Sequence, residues 1–162
     1  MKEEEYGPNY QAHLLEQYKL YIEMTDRISN RRDQMNKFYM SLLSGIVVIF
    51  SIVIESNIFS DFRIMGFIVF SVLGLSLCLL WNINLDSHRR LNAGKFKVIH
   101  EIEQNLPFLC YEREWEIIGK GEKDKRYFPF TKIEQYIPLI LAIPYILLFA
   151  YSLFLVIEKL AF

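Results

Sequence analysis

Apolar residues gather into three runs, Phe38 to Ile54, Ile64 to Trp81 and Tyr136 to Ile157, and none of them holds a charged residue. Each is roughly 17–22 residues long, the length a helix needs to cross a hydrocarbon core of about 30 Å. Lipid offers a backbone no hydrogen bonds, so each run must satisfy its own peptide groups, and the pattern predicts three membrane-spanning helices. The expected layout is a cytoplasmic N-terminal helix over 1–37, then spans over 38–54, 64–81 and 134–158. An external loop over 55–63, a cytoplasmic helical segment over 82–133 and an external tail over 159–162 complete it.

The polar half is also patterned. Leu14, Tyr21, Ile28, Met35 and Leu42 recur every seven residues, with Tyr18 and Tyr39 on the same stripe and Met24 and Phe38 beside it. No Gly or Pro interrupts Tyr10–Ser44. One long helix is expected, starting near Asn9 and running into the first span. A seven-residue repeat implies packing against another helix, either within the subunit or between subunits. After Trp81, placed at the membrane interface, the second helix is expected to continue with Leu85, Leu91, Phe96, Ile99, Ile102 and Leu106 on one face and to stop at Pro107. Arg113–Ile118 predicts a short helix before the turn Gly119-Lys120-Gly121. Thr131 and Glu134 form a capping box for the third span. Pro144, in the middle of that span, predicts a kink, read either as static or as a hinge.

Small residues four apart, Ser41 and Gly45 in the first span and Gly74 and Cys78 with Ser71 in the second, allow close helix approach in lipid. Ser41, Ser44, Gly45 and Ser51 largely share one face. They are the candidates for a shared lumen in an oligomer, the alternative being simple helix packing.

Charge sets the orientation. Lys and Arg crowd the segment before the first span and the segment between the second and third. The loop 55–63 holds only Arg63, and the tail holds only Lys159. By the positive-inside rule the N-terminus and 82–133 face the cytoplasm and the C-terminus faces outward. The acidic start, Glu3 to Glu5, and the late first apolar run predict no cleavable signal peptide. With 162 residues, one compact unit is expected. Cys78 and Cys110 are not expected to be bridged in a reducing compartment.

No catalytic constellation emerges. His13, His88 and His100 stand apart from any cysteine or carboxylate at ligand spacing, and no phosphate-binding glycine loop follows a strand. No metal, cofactor or enzyme activity is expected. Two basic clusters remain: Arg27, Arg31 and Arg32 on the first helix, and Arg89, Arg90, Lys95 and Lys97, beside His88, on the second. They read either as topological charges against acidic headgroups or as an anion site for a nucleotide or oligonucleotide. Phe96, Tyr111, Trp115 and Tyr127 are the aromatic residues available for base stacking.

Three stretches carry a resemblance: QYKLYIEMTDRISNRRDQMNKFYMSL from Gln17, RRLNAGKFKVIHEIEQNLP from Arg89, and EREWEIIGKGEKDKRYFPFTKIEQYIP from Glu112. They resemble the RipA family of bacterial membrane proteins over most of the chain, with a departure at Cys110. That resemblance implies a small, non-enzymatic protein of the bacterial inner membrane assembled as an octameric ring. The plan is also similar to SLATT-type and Hailong-type antiphage membrane effectors. Those combine a cytoplasmic helical part that senses a nucleotide-type signal with a membrane part that permeabilises the cell. Expected on this basis is an all-α oligomeric pore or effector governed by its cytoplasmic helices, in stress or phage defence. The runner-up is a non-conducting scaffold that recruits a cytoplasmic protein encoded nearby. Expected partners are the lipid bilayer, further copies of the chain, and a nucleotide or oligonucleotide.

Overall fold

The structure is a computed structural model that describes residues 3–55, 63–118 and 130–161. Five helices occur among them: α1 (Glu3–Tyr6), α2 (Tyr10–Glu55), α3 (Arg63–Glu103), α4 (Cys110–Ile117) and α5 (Phe130–Ala161). No strand occurs among the described residues. Gly7 ends α1 with a φ of 94°, a left-handed turn that a side chain would strain. From there α2 runs without a break for 46 residues. At 1.5 Å per residue that is about 70 Å, more than twice a hydrocarbon core. The 41 residues of α3 likewise outrun a membrane span.

The three apolar stretches lie in α2, α3 and α5, so the chain is an all-α, multi-pass membrane protein. The expected loop residues 56–62, the turn at Gly119, Lys120 and Gly121, and Tyr127 lie outside the described residues. So does the Thr131 side chain of the capping box, while its backbone is already helical because α5 begins at Phe130. The helix passes through both Pro138 and Pro144.

The residues cluster into two compact units where length alone suggested one. The first joins 1–32 with 87–129, and the second joins 33–86 with 130–162.

The second unit has an aromatic core. Tyr39, Leu43, Cys78, Trp81, Leu85 and Tyr145 are buried together, with Phe70, Leu141 and others packed on them. The Tyr39 and Trp81 rings stack with centroids 5.7 Å apart. The Trp81 indole N–H donates to Asn36 Oδ1 at 2.9 Å, and the Asn84 amide donates to the Tyr39 hydroxyl at 2.6 Å. Trp81 is thus a core residue, 1% exposed. Its polar edge is satisfied inside the protein, as a buried indole requires. Phe50 stacks on Phe70 at 3.7 Å, and Phe67 lies against Tyr151.

Gly74 explains how α5 approaches α3. A Cβ at this position would overlap the Tyr145 ring, so only glycine admits that contact. Four serines in the spans are satisfied on their own helices. The hydroxyls of Ser51, Ser71, Ser76 and Ser152 donate to carbonyls three or four residues earlier.

In the first unit the seven-residue stripe packs against α3 of the same chain. Tyr18, Thr25 and Ile28 are buried, and Leu14 and Tyr21 are half-buried. In the second unit the stripe drifts. Leu42 is exposed and Leu43 takes the buried place. A strict seven-residue repeat slips by ~20° per heptad on a straight helix, so four heptads move the buried line on by most of a residue. On α3, Leu85 and Ile99 are buried as expected, but Leu91 is 52% exposed. The residue seven before Ile99 is Asn92, which occupies the inner line instead. The helix also stops earlier than Pro107. After Glu103 the amides of Asn105 and Leu106 reach back only three residues, to Ile102 and Glu103, and the chain turns.

Candidate functional site

The basic residues named from the sequence all belong to the first unit. There α2 and α3 run antiparallel. The Tyr18 hydroxyl meets Glu103, and Lys95 lies 4.9 Å over the Tyr21 ring, with its ammonium 3.9 Å from Met24 Sδ. Continuing that register brings the 27–32 segment of α2 level with the 88–92 segment of α3. Two basic clusters that are far apart in sequence therefore share one level of the hairpin.

They do not share one face. Arg27 and Arg31 lie one turn apart on the exposed flank of α2, whereas Arg32 is half-buried. Arg90 and Lys97, seven residues apart, lie on the outer face of α3, away from the inner line of Asn92, Ile99 and Glu103. Arg89 is exposed between the two. Arg27 is held by Glu23 at 2.6 Å, both side chains being more than half exposed. Such a pair is worth ~0–1 kcal/mol and leaves the guanidinium accessible. Lys95 is drawn into the hairpin seam by the Tyr21 ring, a cation–π contact. Within one chain these charges form a belt around the hairpin rather than a pocket.

Two polar atoms on the inner side of that belt are unmatched. His88 Nδ1 and Asn92 Oδ1, one turn apart on α3, are buried without a hydrogen-bond partner among the described residues. Sequence reasoning saw His88 as an isolated histidine beside the second basic cluster and did not single out Asn92. A polar residue at i−7 from a buried isoleucine was the signal available. Of the aromatic residues considered for stacking, Phe96 and Tyr111 pack edge to face at 5.5 Å, and Trp115 is exposed.

Farther along the hairpin lies a polar centre that the sequence did not flag. Glu103 is fully buried. Its Oε1 accepts the Tyr18 hydroxyl at 2.7 Å and the Tyr111 backbone N–H at 2.9 Å. Its Oε2 has no hydrogen-bond partner among the described residues. Burial, and then the carboxylate of Glu103, push the Tyr18 hydroxyl well above the usual tyrosine range. Tyr111 is pushed up as well, by burial first and then by Asp26 and Glu114.

In the second unit the candidate lumen residues Ser41, Ser44, Gly45 and Ser51 are all exposed. A Cβ at Gly45 would meet nothing within 4 Å, the opposite of Gly74. The two small-residue motifs therefore differ: one seats α5 on α3, and the other is left uncovered by this chain. Pro144 is exposed on α5. Among the described residues, no three His, Cys, Asp or Glu side chains stand close enough to hold a metal ion.

Residues 15–154 match the model of the octameric membrane protein family. No curated protein and no solved structure matches the chain.

Proposed function

The chain belongs to the octameric membrane protein family, a homo-oligomeric membrane assembly by that family's description, and on that premise we propose that it is a pore-forming effector. In this reading copies assemble as a ring in the bacterial inner membrane, with the N-terminus and the 82–133 segment in the cytoplasm and the C-terminus outside. The cytoplasmic helices govern conduction through the ring, in stress or antiphage defence, on a nucleotide or oligonucleotide signal. Kinship to RipA-type, SLATT-type and Hailong-type proteins is part of this proposal, as is the absence of catalysis.

The observation that carries it is the uncovered small and polar face of α2, Ser41, Ser44, Gly45 and Ser51. No more than 22% of any apolar span window is buried within the chain, so most of each span is left to meet lipid or further copies. An ion in hydrocarbon lacks ligands, and a face of hydroxyls repeated around a ring supplies them. The belt of Arg27, Arg31, Arg89, Arg90 and Lys97 is exposed in every copy and supplies the positive potential that would draw a phosphate-bearing ligand.

A second reading has its own support. Phe108, Trp115 and Ile117, in and before α4, are 64%, 49% and 73% exposed. Apolar side chains outside the spans suit a non-conducting scaffold that recruits a cytoplasmic protein encoded nearby.

The decisive experiment is ion flux from liposomes holding the purified protein, with and without a short oligonucleotide. The pore reading expects flux that responds to the oligonucleotide and falls in Ser44→Leu or Ser51→Leu without a change of oligomer mass. Replacing Arg31 and Arg32 with Gln should weaken oligonucleotide binding and flatten its salt dependence. Absence of flux in every condition, together with no growth arrest on overexpression, leaves the scaffold reading.

A further inference from the structure

Helix α4 is too short to stand alone. It has eight residues, and isolated helices of that length are not stable in water. Glu112 in its first turn favours the helix dipole, but the N-cap position is Leu109, which makes no side-chain capping bond. The first-turn amides of a helix need acceptors, and a side chain at the N-cap usually provides one.

Here the acceptor comes from another element. Tyr111, the second residue of α4, donates its backbone N–H to Oε1 of Glu103, the last residue of α3. A carboxylate at this end of a helix is favoured twice, by the hydrogen bond and by the positive end of the helix dipole. The same Oε1 accepts the Tyr18 hydroxyl from α2. One oxygen therefore ties three helices, and all of them meet within the first unit. A further contact of α4 with the hairpin is the edge of Phe96 against Tyr111.

We infer that Glu103 is a tertiary cap that makes the folding of α4 conditional on the register of the α2–α3 hairpin. While Tyr18 and Glu103 stay opposed, the carboxylate is held inside and α4 is capped. A slip of α2 along α3 moves the Tyr18 hydroxyl away. The carboxylate, with Oε2 already unmatched, then carries too few donors to remain buried and turns outward. The Tyr111 amide loses its acceptor and α4 unravels. Its exposed side chains, Trp115 and Ile117, lose their fixed arrangement at the same time. The hairpin thereby holds a two-state element that any event displacing α2 against α3 can set. This inference does not rest on conduction.

Hydrogen–deuterium exchange of the full chain in detergent tests it, read on peptides covering 108–117 and, as controls, the spans. Losing a buried hydrogen bond to a charged group shifts a local opening equilibrium by about tenfold or more. In Glu103→Ala, exchange over 110–117 should rise by about that factor while the spans keep wild-type protection. Tyr18→Phe, a change on a different helix, should raise exchange over 110–117 by several fold, which a purely local cap would not show. Glu103→Gln keeps an acceptor and the side-chain volume, and it serves if the alanine variant does not fold: exchange over 110–117 should rise, but less. Unchanged exchange over 110–117 in all folded Glu103 variants overturns the cap. A rise in the Glu103 variants with no response to Tyr18→Phe overturns the dependence on hairpin register.

Discussion

Gly74 and Gly45 look alike in the sequence, each the glycine of a small-residue motif inside an apolar run. The structure separates them by what stands opposite. A methyl group at 74 runs into the Tyr145 ring, and one at 45 enters open space. Overpacking of a fitted core costs typically 1–3 kcal/mol, so Gly74→Ala should lower the thermal midpoint of the detergent-solubilised protein. Gly45→Ala should leave the fold of the single subunit unchanged. Shrinking the opposing ring, as in Gly74→Ala with Tyr145→Leu, should recover part of the loss. Near-UV circular dichroism on heating reads all three, because Tyr145 packs on Phe70 in the same aromatic core. The motif was legible in sequence, but its occupant was not, since a spacing names a face and never the residue across from it. Trp81 shows the same limit. Its position at the end of an apolar run suggested a ring at the membrane interface, and only the pairing with Asn36 and Tyr39 shows that the ring is buried in the core.

Among the elements, α2 and α3 were the most legible. A long stretch without Gly or Pro and a seven-residue apolar stripe state both the helix and its seam. The errors fall where geometry accumulates. Leu42 gave way to Leu43 by helical drift, and Leu91 gave way to Asn92 because the inner line of α3 is partly polar. The start of α4 was placed three residues late, at Arg113 rather than Cys110, because its cap lies seven residues upstream of the helix start on another helix. The stripe itself invites a direct check. Tyr21→Asp with Ile28→Asp introduces two carboxylates into the α2–α3 seam, where Ile28 is buried and Tyr21 half-buried. Each change removes apolar burial worth roughly 1.5–3 kcal/mol when complete, and adds the cost of a buried charge. The expected result is loss of protein or a smaller mass in size-exclusion chromatography with light scattering. Unchanged yield and mass would show that the stripe is not a packing seam.

For the whole molecule, three spans follow from length and hydropathy, and membership of an octameric membrane family fits the amount of apolar surface one chain leaves bare. Orientation rests on the Lys and Arg asymmetry, a property of insertion rather than of the folded structure. A reporter active only outside the cytoplasm should therefore be active when fused at the C-terminus and silent when placed after Gly121. Activity at the second site would reverse the topology and place the basic belt outside. What the assembly does was the least legible. A conducting lumen and an oligomer interface both draw on small and polar residues at helical spacing, and both faces stay empty in a single copy. The basic belt is ambiguous for the same reason, because eight copies would turn scattered charges into rings.

The serines that bond back to their own helices bear on how such a protein is made. With Ser51, Ser71, Ser76 and Ser152 satisfied by carbonyls of the turn behind them, their hydroxyls ask for no neighbour. Each span can then leave the translocation machinery as a finished helix, one at a time. Joining between copies then rests on the apolar surface that each span leaves bare and not on these hydroxyls.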